Sequence, residues 1–312
     1  MRAVAALLAA ALLAGCAGAG PGPTPAASPP RAASPAELGG WFDCLRERGE
    51  AVVSAHRGGP APGFPENSLA AMARTLDAVP GALLEIDVQQ SRDGVLILFH
   101  DDRLDRKSTG SGAVQATDWA DIAKLRLRDR DGQVTDAAVP KLAEGLRLIV
   151  SRGAVAQLDV KRGVDLAAVV DAVGAANAAG HVIIITYTDA DALALARLAP
   201  DLMQSATVRD AGQAERLIAG GVRRDRLLAW TGTRAPDIAL FAALRAAGVE
   251  PIFGTLGSGP DSLDQQWLAD GDGREFVQLE RDGAVLIATN RAAAVTAALG
   301  PVSCRRQATS NI

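Results

Sequence analysis

From residue 51 onward, short runs of apolar and β-branched residues alternate with longer stretches rich in Ala and Leu. That alternation predicts βα units feeding a parallel sheet, because a strand buried on both faces reads as a near-continuous apolar run and each crossover requires a helix. Eight runs qualify: AVVSA (51–55), ALLEIDV (82–88), AVAQLDV (154–160), VIIITY (182–187), LMQSAT (202–207), LLAWT (227–231), EPIFGT (250–255) and VLIA (285–288). Eight parallel strands close on themselves, so the predicted fold class is α/β, a (β/α)8 TIM barrel. Helices are predicted over 68–78, 142–150, 166–179, 191–198, 213–219, 236–247 and 292–299, several of them stopped by Gly.

One further apolar run, VLILF (95–99), follows ALLEIDV after Ser91-Arg92-Asp93-Gly94. Asp-Gly between two such runs marks a tight turn, predicting a β-hairpin after the second barrel strand. With the turn centred between Arg92 and Asp93, antiparallel register sets Glu85 opposite His100. Residues 101–141 carry KSTGSG and Asp-rich turns without a regular period, and read as an insertion over the barrel mouth. A long polar loop is read at 256–275.

The start of the chain has a different pattern. Residues 1–16 run Met-Arg and then almost unbroken Ala, Leu and Val, too short to span a bilayer but right for a signal-peptide core. The stretch ends in Leu13-Ala14-Gly15-Cys16, which resembles the bacterial lipobox, where Cys16 is lipidated and becomes the mature N-terminus; ordinary cleavage near Ala17 or Ala19 is the alternative. Both readings export the chain. Residues 17–40 form a Pro/Ala-rich linker with too few large apolar side chains to offset ordering entropy, leaving 41–312 as the barrel domain. An oxidising compartment permits a disulfide, and a closed barrel brings its chain ends together, so Cys44 and Cys304 are predicted to pair; two unrelated thiols are the alternative.

Composition narrows the function classes. At 48% hydrophobic the chain can build a large core. Lys and Arg number 32 against 36 Asp and Glu, and aromatics are 4%, so there is neither a basic excess nor a stacking platform for nucleic acid. The three cysteines lack the spacing of a zinc site. No protein partner is implied.

Two of the three histidines end β-runs in polar company: His56 in Ser-Ala-His-Arg-Gly-Gly and His100 in Leu-Phe-His-Asp-Asp. Side chains at the carboxyl ends of barrel strands converge on the site, so His56 and Arg57 point an acid or base and an anion-binding guanidinium into the cleft. Gly58 and Gly59 are read as allowing close approach of backbone to a ligand. His181 is read as structural. Glu85 and Asp87 lie two apart on one strand and share its inward face, with Leu84 and Ile86 facing the helices. Two hard oxygen donors suit Ca²⁺ or Mg²⁺; the alternative is a carboxylate pair satisfied by Arg57 and Lys161 with no metal. Asp159 and Lys161 repeat the spacing on the next barrel strand, completing a description of a metal-and-phosphate site.

The motifs His-Arg-Gly (56–58), Pro-Glu-Asn-Ser (65–68), Glu-Ile-Asp-Val (85–88), Arg-Asp-Gly (92–94), His-Asp-Asp-X-Leu-Asp-Arg (100–106) and Thr-Gly-X-Gly after it resemble, in order and spacing, the glycerophosphodiester phosphodiesterase family. The resemblance is strong over 51–112, moderate to about 161 and thin beyond. It implies a phospholipase-C-like barrel that hydrolyses glycerophosphodiesters to sn-glycerol 3-phosphate and an alcohol. Glu85, Asp87 and Asp159 then ligate Ca²⁺ or Mg²⁺, His56 and His100 act as acid and base, and Arg57 and Lys161 hold phosphate oxygens. Glu66 and Asn67 support them, although Asn67 or Ser68 also reads independently as a helix N-cap. The family usually has Glu where this chain has Asp159, and its late Trp-Thr-Val-Asn motif is not recognisable; Phe253 is the candidate to replace that Trp in the substrate pocket. Alternatives are a phosphodiesterase or phospholipase D-type enzyme acting on lipid head groups, and a non-catalytic anion-binding barrel. The expected location is a membrane-anchored lipoprotein facing the periplasm, with Ala17 after Cys16 resembling an outer-membrane address.

Overall fold

The computed structural model describes residues 33–257 and 259–306. The signal segment with Cys16, and the linker as far as residue 32, lie outside the described residues. Among these, eight parallel strands close into a barrel: β1 (Val52–Ala55), β2 (Leu83–Gln90), β6 (Ala156–Val160), β7 (Val182–Thr186), β8 (Met203–Thr207), β9 (Leu227–Trp230), β10 (Glu250–Gly254) and β11 (Leu286–Thr289). Each pairs with the next in chain order, and β1 pairs with both β11 and β2, which completes the circle. Helices pack outside, and Leu84 and Ile86 of β2 meet Met72 and Leu146 there, as the period-2 reading requires.

The hairpin forms as predicted, with a corrected register. β3 (Leu96–Leu98) runs antiparallel to the end of β2, pairing Val88 with Leu98, Gln89 with Ile97 and Gln90 with Leu96. The turn is therefore centred on Asp93, one half-step later than expected, and Glu85 does not lie opposite His100. Arg92-Asp93-Gly94 make a three-residue turn with Gly94 at φ 84, a conformation open to glycine, where a two-residue turn was assumed. The insertion then builds its own small sheet from β4 (Arg126–Arg128) and β5 (Val134–Ala138), over a core of Phe99, Leu104, Val114, Ile122 and Leu127.

Two expectations about irregular segments are overturned. The domain starts before residue 41: helix α1 (Pro35–Arg48) occupies the end of the assigned linker. Ser34 caps it, accepting from the Glu37 N–H while Glu37 accepts from Ser34 N–H at 2.6 Å, and Gly49 ends it in a left-handed conformation. Leu38, Trp41, Phe42 and Leu45 plug the bottom of the barrel against Val52, Leu83, Val155, Ile183, Leu228 and Ile252. Gly39 is required there, since a Cβ would stand 2.6 Å from the Arg226 guanidinium and 2.7 Å from the Asp225 carbonyl. The polar segment at 256–275 contains a short helix, Leu263–Trp267, and a second helix begins within it, Arg274–Arg281.

Cys44 of α1 and Cys304 form the predicted disulfide, with Cα atoms 5.9 Å apart and a sequence separation of 260. Trp41 Nε1 also donates to the Cys304 carbonyl. A loop of that length gives up to about 5 kcal/mol in the chain-entropy account. Replacing both cysteines by Ser should lower the thermal midpoint by several degrees while leaving ligand binding at the opposite end intact; an unchanged melting curve would show that the α1 plug holds without its staple.

Candidate active site

The carboxyl ends of the strands bring the predicted residues together. His56 follows β1 directly, on a single 3-10 turn (His56–Gly58), with Arg57 in a left-handed conformation at φ 52. That unusual backbone turns the Arg57 N–H onto Glu85 Oε2 at 2.8 Å, while His56 Nε2 stands 3.9 Å from the same oxygen. Gly58 and Gly59 are required by packing: both have positive φ, and a Cβ on Gly59 would stand 2.2 Å from Thr75 Oγ1 of helix α2 (Leu69–Ala78). Ser68 is the N-cap of that helix, accepting from the Ala71 N–H at 3.1 Å.

Glu85, Asp87 and Asp159 each present an oxygen within 4.8 Å of the others, and all three are buried. Lys161 Nζ lies between two of them, 2.5 Å from Asp87 and 2.6 Å from Asp159. Asn67, left-handed at φ 59, clamps Asp87 by donating Nδ2 to its carboxylate at 2.6 Å and accepting its N–H at 2.9 Å. Tyr187 donates its hydroxyl to the second oxygen of Asp159. Burial, followed by the charges of Asp87 and Asp159, pushes the Glu85 pKa well above the usual carboxylate range. Burial acts the same way on Asp87, but Lys161, His100 and Asn67 outweigh it and hold its pKa below the ordinary value. Lys161 stays above its ordinary value because Asp87 and Asp159 overcome its own desolvation.

His100 reaches this cluster through Arg57, whose Nη2 donates to His100 Nε2 at 2.7 Å. With Nε2 accepting, the ring proton is on Nδ1, which donates to Asp101 at 2.8 Å; Asp101 is held in turn by both arms of Arg106. Glu66 collects Arg57 at 3.1 Å and Lys107 at 3.1 Å. Burial, then the Arg57 charge, lowers the His56 pKa and favours the neutral imidazole. A cavity of about 190 Å³ opens over the carboxylates, walled by Gln157, Ser205, Thr207, Trp230 and Tyr187.

The arrangement unites an acidic cluster, two imidazoles and two cations at one mouth, the equipment for displacement at a phosphate. The sequence profile of the glycerophosphoryl diester phosphodiesterase family matches residues 56–253. The chain belongs to that family. Uncharacterized protein YqiK of Bacillus subtilis is 31% identical over 175 residues, 54% of this chain and 71% of that protein. A glycerophosphodiester phosphodiesterase of Caldanaerobacter subterraneus is 32% identical over 116 residues, 37% of this chain and only 47% of the relative. Among solved structures, a glycerophosphoryl diester phosphodiesterase from Parabacteroides distasonis superimposes with a TM-score of 0.72 at 27% identity, covering 85% of this chain and 94% of that one. An Oleispira antarctica phosphodiesterase, solved in complex with the product sn-glycerol-3-phosphate, shares the fold at 20% identity with a TM-score of 0.62, covering 81% and 98%.

One site residue of this phosphodiesterase is misplaced by the sequence reading. Phe253 is fully buried outside the barrel wall, edge-on to Phe241 at 6.2 Å, because β10 turns its neighbour Ile252 inward. Trp230 and Tyr187 wall the cavity instead. Tyr187, Trp230 and Asn290 were also within reach of the sequence, since each ends or immediately follows a barrel strand, where side chains of this fold face the site. His181 is structural as read, its Nδ1 facing the Ala154 carbonyl at 2.7 Å.

Asn67 supplies both the left-handed backbone and the bonds that aim Asp87. Asn67→Ala should therefore destabilise the fold by about 3 kcal/mol, combining a left-handed alanine with two lost buried hydrogen bonds. Asn67→Gly, which relieves the backbone but not the bonds, should fall between the two in urea melts; equal stability of all three would remove the clamp.

Proposed function

We propose that this protein is an exported, divalent-metal-dependent phosphodiesterase that splits glycerophosphodiesters into sn-glycerol 3-phosphate and an alcohol. The observation that carries the reading is the convergence of Glu85, Asp87 and Asp159 within 4.8 Å, beside His56, His100, Arg57 and Lys161. An all-oxygen donor set of three acids, opposed at close range by the Lys161 ammonium, fits Ca²⁺ or Mg²⁺. The oxygens of Asp87 and Asp159 already accept one bond each and retain lone pairs for a cation. Bound there, such an ion would neutralise phosphate charge and acidify a nearby hydroxyl.

The chain's own groups supply the rest. His56, neutral and with Nε2 turned toward the carboxylate cluster, takes the proton of the attacking hydroxyl, whether that of water or of the glycerol itself. Arg57 and Lys161 hold the phosphate oxygens as negative charge builds on them. The bond from phosphorus to the alcohol oxygen then breaks. His100, oriented by Asp101 and carrying on Nε2 a proton taken up from solvent once phosphate has drawn Arg57 away, gives that proton to the oxygen, while His56 returns the nucleophile's proton to solvent. The product complex of the Oleispira phosphodiesterase supports glycerol 3-phosphate as the product here.

The reading is tested on glycerophosphocholine. Release of glycerol 3-phosphate should stop with EDTA and return with Ca²⁺ or Mg²⁺, and Glu85→Gln should raise the metal concentration needed. His56→Ala and His100→Ala should each lose at least about 100-fold in kcat. An aryl phosphodiester, whose leaving group needs no proton, should restore much of the His100→Ala rate and none of the His56→Ala rate. Turnover insensitive to chelation and to both histidines would defeat the proposal.

Export through a lipidated Cys16 completes the proposal, with the periplasmic face of the outer membrane as the site of action. The Cys44–Cys304 bridge supports an oxidising compartment. Cys16→Ser should move the protein from the membrane to the soluble fraction; unaltered fractionation would rule out the anchor.

A further inference from the structure

His56 and His100 are held differently. Asp101, on the same segment, orients His100, but nothing on the β1 turn orients His56. Its Nδ1 instead meets Asn290 Oδ1 at 2.7 Å, a contact spanning 234 residues of sequence. Asn290 is the first residue beyond β11 and sits on the exposed rim, so its side chain is not fixed by packing. Hydrogen bonds fix it: Nδ2 donates to the Gly257 carbonyl at 2.9 Å, and the backbone N–H donates to Asp264 Oδ2 at 2.7 Å.

Asp264 is the seat of this arrangement. It lies on the short helix Leu263–Trp267, is 2% exposed, and its other oxygen accepts from the hydroxyls of Thr255 and Thr289, both at 2.6 Å. One buried carboxylate thus ties together the end of β10, the end of β11 and the segment between them. Because the Asn290 amide spends its N–H₂ on Gly257, only its oxygen can face the imidazole. An amide oxygen accepts and cannot donate.

From this we infer that Asn290, seated by Asp264, is a positioning residue that holds neutral His56 in the Nδ1–H tautomer and leaves the Nε2 lone pair facing the carboxylate cluster. The inference deepens the proposed reaction and rests on it only for the kinetic consequence. A neutral imidazole has one acceptor nitrogen, so a ring in the opposite tautomer presents an N–H where the base is needed and takes no proton. The role of Asn290 is therefore in the rate of the chemical step and not in substrate affinity.

Long-range ¹H–¹⁵N spectra of the full-length protein, labelled in histidine and recorded above the imidazole titration range, distinguish the two neutral tautomers. The His56 signals are identified by their loss in His56→Ala. Wild-type His56 should be Nδ1–H. Asn290→Asp, which keeps an acceptor, should retain that tautomer and kcat on glycerophosphocholine within about fivefold. Asn290→Leu should shift the ring toward Nε2–H and lower kcat at least about tenfold, with KM changed less than about twofold. A wild-type ring that is Nε2–H overturns the inference, and needs no variant to fold. So does an Asn290→Leu protein in which tautomer and kcat do not change together. Protein inert on glycerophosphocholine but showing the expected tautomers would support the positioning of His56 and overturn the reaction assigned to it.

Discussion

Three acidic side chains buried within 4.8 Å of one another dominate the energetics of this barrel. At that separation, each pair of unit charges repels by about 3.5 kcal/mol in an effective dielectric of about 20. The raised pKa of Glu85 relieves part of this repulsion, and the rest falls to the groups around the trio. The surrounding residues act as its compensation. Lys161 bridges Asp87 and Asp159, Asn67 brackets Asp87 from both sides, Tyr187 caps Asp159, and the backbone of Arg57 is turned out of its normal conformation to put an N–H on Glu85. Glu85, which has no ammonium of its own, is the acid whose pKa is driven upward. The same imbalance is what would favour the divalent cation proposed for this cluster.

Strain at one end of the barrel is matched by reinforcement at the other. The upper rim holds the left-handed Arg57 and Asn67, conformations that cost on the order of 1–2 kcal/mol each for a residue with a Cβ. The lower end is closed by α1, which inserts Trp41, Phe42 and two leucines between the strand beginnings and is stitched to the chain end by Cys44–Cys304. Burying a large apolar side chain contributes about 2–3 kcal/mol, so four of them, with the disulfide, outweigh the rim's strain. This division suits the fold, since the site residues face the carboxyl-terminal mouth of the barrel and the stabilising layer at the other end can be altered without moving them.

How far the sequence reveals this depends on whether a residue's role is local. The barrel strands are legible because each is a short apolar run bounded by turn signals, and Glu85 with Asp87 is legible because period 2 alone puts both on one face. α1 was hidden: Pro35, Gly39 and Gly40 read as linker, and Gly39 is explained by Asp225 and Arg226, nearly two hundred residues away. The hairpin was visible but its register was not, because Gly94 takes a third turn residue that Asp-Gly spacing does not distinguish from two. Phe253 failed for the reason that aromatic identity says nothing about which side of a strand it faces. Asn290 and Asp264 carry no motif at all; their role exists only where β10, β11 and the β1 turn meet.

Arg57 shows how tightly these demands are woven. Its backbone serves Glu85, its Nη1 serves Glu66, and its Nη2 reaches His100, yet its Nε is buried without a hydrogen-bond partner, 4.0 Å from Asp87. An orphaned buried donor costs about 1–3 kcal/mol, a cost a purely structural arginine has no reason to bear. The guanidinium is also the link between the two imidazoles, since it follows His56 in the chain and holds His100 across the site. An anion arriving at the mouth would offer that unpaired donor an oxygen while drawing Nη2 away from His100 Nε2, so in the proposed reaction phosphate binding and the freeing of Nε2 to take up a proton would both follow from one side chain's geometry.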